Sequence, residues 1–272
     1  GLHGAPRSRP RARSRLHGMS RGRERPFEPG YLLMATLIPA WLRVWFRTHL
    51  EGLEYLPASG PAIVASNHIS YLDPLAVGCA VRRAGRRPRF LAKSELFKVP
   101  VVAWAIRTGG QIPVYRGTRE AHRSLIHAEE ALAAGEVVVI FPEGTTTTAP
   151  DLAPLPPKTG IARLALRSGV DVIPCATWGG QWFWTKHLPL SPGPGKDLWV
   201  RFGPPISTRE LAARGEGRNE REVWAEAAGR VMEEIGVLLA GLKAAKPWTP
   251  REPTARFLRR QRAKAGHSTR RS

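Results

Sequence analysis

Three features predict an α/β protein with a single mixed, largely parallel sheet flanked by helices, preceded by an amphipathic helical segment. From Gly52 onward, short apolar runs alternate with stretches of helical periodicity, the order expected of a sheet covered by helices. The run Val137–Phe141 (VVVIF) is an uninterrupted strand signal. The 272 residues, 42% of them hydrophobic, suffice for one sizeable core and fall short of two full domains.

The first apolar segment, Tyr31 to Phe46, reads YLLMATLIPAWLRVWF. Its weakly polar part, Tyr31–Leu42, reaches roughly 18 Å as a helix against a hydrocarbon core of about 30 Å. Pro39 and Arg43 shorten it further, so it does not span a bilayer. Trp41, Trp45 and Phe46 interleaved with Arg43 and Arg47 are the mixture of a membrane-associating helix lying in the headgroup layer. A helix packed on the protein's own core is the second reading of residues 31–50.

Pro61–Ser66 (PAIVAS) then reads as a short buried strand. Pro74–Val81 reads as a helix, with Asp73 as N-cap and Pro74 at the first helical position. Phe90–Ala92 suits a short strand, and Leu96–Arg107 a helix stopped at Gly109-Gly110. Gln111–Tyr115 is a strand and Arg119–Ala134 a helix closed by Gly135. After the VVVIF strand come a helix at Gly160–Arg167 and strands at Val170–Ala176 and Leu198–Phe202. The Pro/Gly run Leu188–Lys196 is a loop. A closing helix, Arg221–Leu242, carries an apolar stripe at Val223, Val231, Ile235 and Leu238. No internal repeat is present.

The formal net charge of +20 invites a nucleic-acid reading, so its distribution matters. Residues 1–30 hold eight Arg against two Glu, and residues 243–272 hold ten Lys/Arg against one Glu. These two basic tails carry 15 of the 20 charges and leave +5 for the middle of the chain. A basic patch on a folded surface would argue for nucleic acid. Basic tails suit an anionic membrane surface equally well, or a solvated tail with no specific partner. The chain opens on Gly1, Met19 is a candidate start, and the Arg-rich beginning lacks the apolar region of a secretory signal. Cys79 and Cys175 each lie in an apolar stretch, the setting of buried thiols. No Cys/His spacing suggests a metal site, and two Cys cannot build a secreted disulfide framework, which points to an intracellular protein.

The chemistry gathers where strands end. A strand delivers the chain into Ser66-Asn67-His68-Ile69-Ser70-Tyr71-Leu72-Asp73 and a capped helix takes it away. His68 thus sits just past the carboxyl end of a strand, where α/β sheets build sites. On a continuous helix His68 and Asp73 would stand about 140° apart. A turn between them lets the carboxylate come back to the imidazole, giving a base with its orienter. The other reading is a surface histidine beside a helix-capping aspartate.

Val139–Thr148 likewise runs from strand into polar turn. Pro142 and Gly144 shape that turn, Glu143 can accept hydrogen bonds from substrate hydroxyls, and the threonines can donate them. An ordinary strand-to-loop turn is the alternative. Arg116 lies at the end of the strand containing Ile112–Tyr115, and arginine suits bidentate phosphate binding; a solvated surface arginine is the alternative. Lys93 and Lys158 stand beside other strand and helix ends and can add charge for a phosphate.

Asn67-His68 followed by Asp73 resembles the NHxxxxD signature of the 1-acylglycerol-3-phosphate acyltransferase (PlsC-type) family. Lys93–Leu96, Ile112–Arg116, Phe141–Thr145 and Val172–Pro174 resemble its later blocks in the same order, so the likeness covers roughly Gly52 to Pro205. The resemblance implies acyl transfer from a coenzyme A or acyl-carrier-protein thioester to a lysophospholipid hydroxyl. That would make lysophosphatidic acid into phosphatidic acid, with no cofactor beyond the co-substrate. It implies His68 as general base and Asp73 as its partner. Arg116, with Lys93, would hold the acceptor's phosphate, and Glu143 and Gly144 would contact its glycerol, with Asn67, Thr145 and Lys158 also in the binding site. An acyltransferase domain at 51–242 would then follow the amphipathic segment at 31–50, on the cytoplasmic face of the cell membrane as a peripheral or monotopic protein.

Two departures stand out. Tyr115 occupies a position where the family often has Asp, and Thr146-Thr147 follow Gly-Thr where it often has Arg-Ser. Loss of that arginine removes a phosphate contact, which opens the acceptor to being a different lipid unless Lys158 compensates.

Rival chemistries find less support. The GxSxG match at Gly18–Gly22 lies in the Arg-rich tail rather than in a strand–turn–helix elbow. Walker A and GxGxxG loops are missing. His122, His127 and His187 read as surface residues. A membrane- or nucleic-acid-binding protein with an acyltransferase fold and no turnover is the non-enzymatic alternative.

Overall fold

Parallel pairing of short apolar strands organises the chain. A computed structural model describes residues 29–98, 100–114, 121–147, 149, 151–186, 188, 190–213 and 218–247. The expectations for the basic tails at 1–28 and 248–272, for Met19 and for the Gly18–Gly22 match fall outside those residues.

The strands are β1 Phe46–Glu51, β2 Ala62–Ser66, β3 Pro88–Lys93, β4 Ile112–Val114, β5 Val137–Ile140, β6 Val172–Trp178 and β7 Lys196–Phe202. They form one seven-stranded sheet in the order β1-β7-β6-β2-β5-β3-β4. Every neighbouring pair is parallel except β6–β7. The helices are α1 Pro29–Trp45, α2 Asp73–Arg83, α3 Pro100–Thr108, α4 Ala121–Ala133, α5 Gly160–Ser168, α6 Thr208–Ala213 and α7 Glu220–Ala245. The expected mixed, largely parallel sheet flanked by helices is what the chain builds.

Alternation along the strands divides the core. Ile63 and Ala65 of β2, with Val138 and Ile140 of β5, face Leu125, Ala128 and Leu132 of α4, Ile161 and Leu164 of α5, and Val231 and Ile235 of α7. The intervening Val64, Val137 and Val139 pack with Ala76, Val77, Ala80 and Val81 of α2 and with Leu42 of α1. Burial on both faces explains why β2 and β5 read as continuous apolar runs rather than alternating ones.

Two elements were not expected. β1 (FRTHLE) falls within the segment read as helical, and most of its residues are exposed. Among the described residues it is an edge strand pairing only with β7, and Arg47–Asp197 (3.1 Å), His49–Asp197 (2.9 Å) and Arg201–Glu51 (2.5 Å) ion pairs join the two. Charged edge strands of this kind carry no period-2 apolar signal, and their charges protect the edge. α6 is six residues long and buries only Leu211, too little for a periodic stripe. α7 continues past the boundary expected at 242. Lys243 donates to the carbonyls of Asp151 (3.0 Å) and Leu152 (3.3 Å) and lies over the Trp178 ring.

α1 packs one face on the core, as the second reading of its segment expects, and leaves the other face open. Tyr31 and Leu42 are buried, and Ile38, Trp41 and Trp45 pack against the core on the α2 side. Leu32, Leu33, Leu37 and Val44 are exposed. Among the described residues, no helix is long and apolar enough to cross a membrane.

Candidate active site

β2 is a central strand, with β6 on one side and β5 on the other. The residues leaving its carboxyl end are tied to both neighbours. On the β6 side, the Asn67 amide donates to Thr177 O (3.1 Å) and accepts from Thr177 N (2.7 Å). On the β5 side, His68 N donates to Glu143 Oε1 (2.7 Å) and His68 O accepts from Thr147 N (2.8 Å). The backbone of His68 is therefore clamped through both its donor and its acceptor before its side chain does anything.

Asp73 does not cap α2, contrary to expectation. It is the first residue of that helix, and the cap position makes no side-chain hydrogen bond. Its Oδ2 instead turns back and accepts from His68 Nδ1 (2.9 Å), Ile69 N (2.7 Å) and Ser70 N (2.7 Å). Pro74 follows at the start of the helix, where a residue without an N–H costs nothing. Because a carboxylate only accepts, Nδ1 carries the proton and Nε2 presents its lone pair. Among the described residues Nε2 has no partner. The His68 ring rests on Phe141 with centroids 4.5 Å apart, and Phe90 lies beyond it. The His68 side chain is 16% exposed and that of Asp73 is fully buried. The imidazole is oriented by the carboxylate and open on one edge, the geometry that general-base chemistry requires.

Several expected binding residues have other work. Asn67 is fully buried and both ends of its amide are paired to Thr177, so it straps β2 to β6 instead of meeting substrate. Glu143 was expected to receive substrate hydroxyls. Its two oxygens already accept His68 N and Leu155 N (2.8 Å), and it is 2% exposed. Burial pushes its carboxyl above the ordinary glutamate range, opposed by the N–H groups of Leu155 and His68. Glu143 is a bracket for the turn that carries His68. Thr146 and Thr147 are buried as well, and Thr147 donates its hydroxyl to Ala153 O (2.7 Å).

Lys158 does reach the turn. Its Nζ and Cε lie 3.0 Å from where a Cβ on Gly144 would stand, and its backbone N donates to Pro142 O (2.9 Å). Gly144 has φ +71°, a left-handed backbone that calls for glycine. Thr145 lies next to it, half-buried. Lys93 ends β3, exposed, 3.4 Å from Glu95. Arg116, Tyr115, Thr148 and His187 lie outside the described residues, while His122 and the exposed His127, the latter paired with Glu130, are on α4 and take no part in the site. The two cysteines are held as thiols by burial, Cys79 pushed up to about 11 and Cys175 pushed well above its ordinary value.

Residues 47–178 match the family described as Acyltransferase, a span running from β1 through β6. That span belongs to the acyltransferase family. This chain is 33% identical over 137 residues to the chloroplastic 1-acyl-sn-glycerol-3-phosphate acyltransferase BAT2 of Brassica napus, covering 50% of this chain and 38% of that protein. It is 29% identical over 238 residues to the uncharacterized protein ML2427 of Mycobacterium leprae, covering 74% and 62%. It is 27% identical over 180 residues to a 1-acyl-sn-glycerol-3-phosphate acyltransferase of Borreliella burgdorferi, covering 64% and 67%. The match to the plant relative thus spans well under half of that protein. The crystal structure of the acyltransferase PlsC from Thermotoga maritima shares the fold, with a TM-score of 0.58, 24% identity, and 80% and 81% of the two chains covered. The likeness carried by the ordered motifs is borne out at the level of the family.

Proposed function

We propose that this acyltransferase moves a fatty acyl group from a coenzyme A or acyl-carrier-protein thioester to the hydroxyl of a lysophospholipid in phospholipid biosynthesis, converting lysophosphatidic acid to phosphatidic acid. One observation carries the reading. His68 Nδ1 is 2.9 Å from a buried carboxylate, which leaves Nε2 as the base at the carboxyl edge of the sheet. Nε2 takes the proton of the acceptor hydroxyl as its oxygen attacks the thioester carbonyl. The tetrahedral intermediate then collapses with cleavage of the C–S bond. The proton held on Nε2 passes to the leaving thiolate, so the thiol is released and His68 is restored. Asp73 stabilises the transient imidazolium. No covalent enzyme intermediate is required.

Lys158, over Gly144, supplies a cation beside the position where Thr146-Thr147 replace the Arg-Ser common in the family, and Lys93 and Arg116 are the further phosphate ligands in this reading. Thr145 and the Gly144 backbone face the acceptor's glycerol. The exposed Leu32, Leu33, Leu37 and Val44 of α1, with the basic tails, suit a peripheral or monotopic seat on an anionic cytoplasmic membrane face.

Free thiol release from acyl-CoA, measured with and without lysophosphatidic acid, tests the proposal. Turnover is expected only with acceptor present, and His68→Ala is expected to lower it at least ~10²-fold while the fold stays intact. Turnover by His68→Ala at the parent's rate removes His68 from the mechanism. A folded parent that binds vesicles without turnover on any lysophospholipid favours the non-catalytic alternative.

A further inference from the structure

The catalytic carboxylate is held from one side only. Asp73 Oδ2 receives three N–H groups, whereas Oδ1 is buried and has no hydrogen-bond partner among the described residues. The three donors set the torsion about Cβ–Cγ through Oδ2, and the side that carries Oδ1 is left to packing. A short turn following β6 supplies it. A Cβ placed on Gly180 would lie 3.5 Å from Asp73 Oδ1, 2.7 Å from Ser70 Oγ and 2.8 Å from Ser70 Cβ. The backbone of Gly180 is pressed against the back of the pair.

Ser70 is the hinge between this turn and the carboxylate. It is fully buried. Its N–H donates to Asp73 Oδ2 (2.7 Å), its hydroxyl donates to Trp184 O (2.7 Å), and the same Oγ accepts from Leu72 N (3.1 Å). Tyr71 N also reaches Trp184 O (3.3 Å). The turn is in turn rigid. Trp182 N bonds Gly179 O, Phe183 N and Trp184 N both bond Gly180 O, and Gly179 N donates to Gln181 Oε1. At its far end Phe183 is set edge-on into Trp41 (5.8 Å) and Trp45 (5.9 Å) of α1 and Phe46 (5.2 Å) of β1. The backstop is therefore braced against the first helix of the protein.

We infer that Ser70 and Gly180 are positioning residues of the acyl-transfer reaction: together they lock the Asp73 carboxylate in the plane that orients His68. The inference rests on the acyl-transfer reading above for its kinetic half and on geometry alone for its spectroscopic half. Ser70→Ala removes the hydroxyl that ties the turn to the loop. Gly180→Ala drives a methyl into Ser70, whose N–H holds Asp73 Oδ2, and so moves one support of the carboxylate.

The experiment follows two readouts in the full chain for Ser70→Ala and Gly180→Ala. One is the low-field proton resonance of a carboxylate-bound imidazole Nδ1–H, assigned to His68 by its loss in His68→Gln. The other is steady-state acyl transfer. Both variants are expected to shift or broaden the resonance and to lower kcat by about tenfold or more, with KM for either substrate changed less than about twofold. A resonance at the parent's position in both variants overturns the inference, whatever their rates. So does parental kcat in both. Should the parent give the resonance, and the variants lose it, with no acyl transfer by any form, the acyl-transfer reading fails while the positioning geometry stands. If Gly180→Ala does not fold, Ser70→Ala, which adds no atoms, decides the question by itself.

Discussion

Replacing Glu143 distinguishes a residue that touches substrate from one that holds the catalytic turn. Each of its oxygens accepts one backbone N–H, from His68 (2.7 Å) and Leu155 (2.8 Å), and the residue is 2% exposed. Glu143→Gln keeps one acceptor and turns an NH₂ towards the other N–H, so one buried donor loses its partner at about 1–3 kcal/mol. Glu143→Ala orphans both donors, for roughly 2–6 kcal/mol, a large share of the ~5–15 kcal/mol by which a domain is stable. The cost also depends on pH. Burial raises the folded carboxyl above 4.5, so its contribution to stability is fully present below that value and is lost as pH rises through the raised one. The stability gap between parent and Glu143→Gln should therefore be wider near pH 4.5 than near neutrality. Urea unfolding of parent and both variants at the two pH values gives the gaps directly. Acyl transfer at a temperature where all forms are folded should show a lower kcat with little change in acceptor KM. A Glu143→Gln protein with parental unfolding midpoints and a raised acceptor KM would refute the bracket and restore Glu143 to the binding surface.

Lys158→Ala should raise KM for a phosphate-bearing acceptor about tenfold or more, as expected for losing a charged hydrogen bond, and leave an acceptor without phosphate unaffected. Lys158→Arg should recover part of the loss in the same assay, whereas equal KM shifts for both acceptors would take Lys158 away from the phosphate. On α1, replacing exposed Leu32, Leu33 and Leu37 by Ser should weaken co-sedimentation with anionic vesicles while leaving the unfolding midpoint nearly unchanged, because none of the three is in the core. Undiminished sedimentation would mean that this face does not meet the membrane.

Much of the architecture was legible because it rests on local pattern. Continuous apolar runs such as Ala62–Ser66 and Val137–Ile140 announced strands buried on both faces, and Gly135 falls just past the end of α4 as a left-handed closure. β1 and α6 were not legible. The first is an edge strand whose side chains are mostly exposed, and the second is a six-residue helix with one buried residue. Neither has the repeat on which a periodicity argument depends.

The sequence by itself determined the α/β class and carried the family likeness, and through that likeness it named the pairing of His68 with Asp73, since residue order over short spans suffices for these. Only the tertiary structure decided what each polar side chain does there. Asn67 is spent on Thr177 110 residues away, Glu143 holds a backbone N–H 75 residues before it, and Ser70 meets Trp184 at a separation of 114. A carboxylate or amide has a fixed number of acceptor and donor sites. Whether those sites are filled by substrate or by the chain itself depends on which strands lie side by side, and strand order is a property of the whole fold.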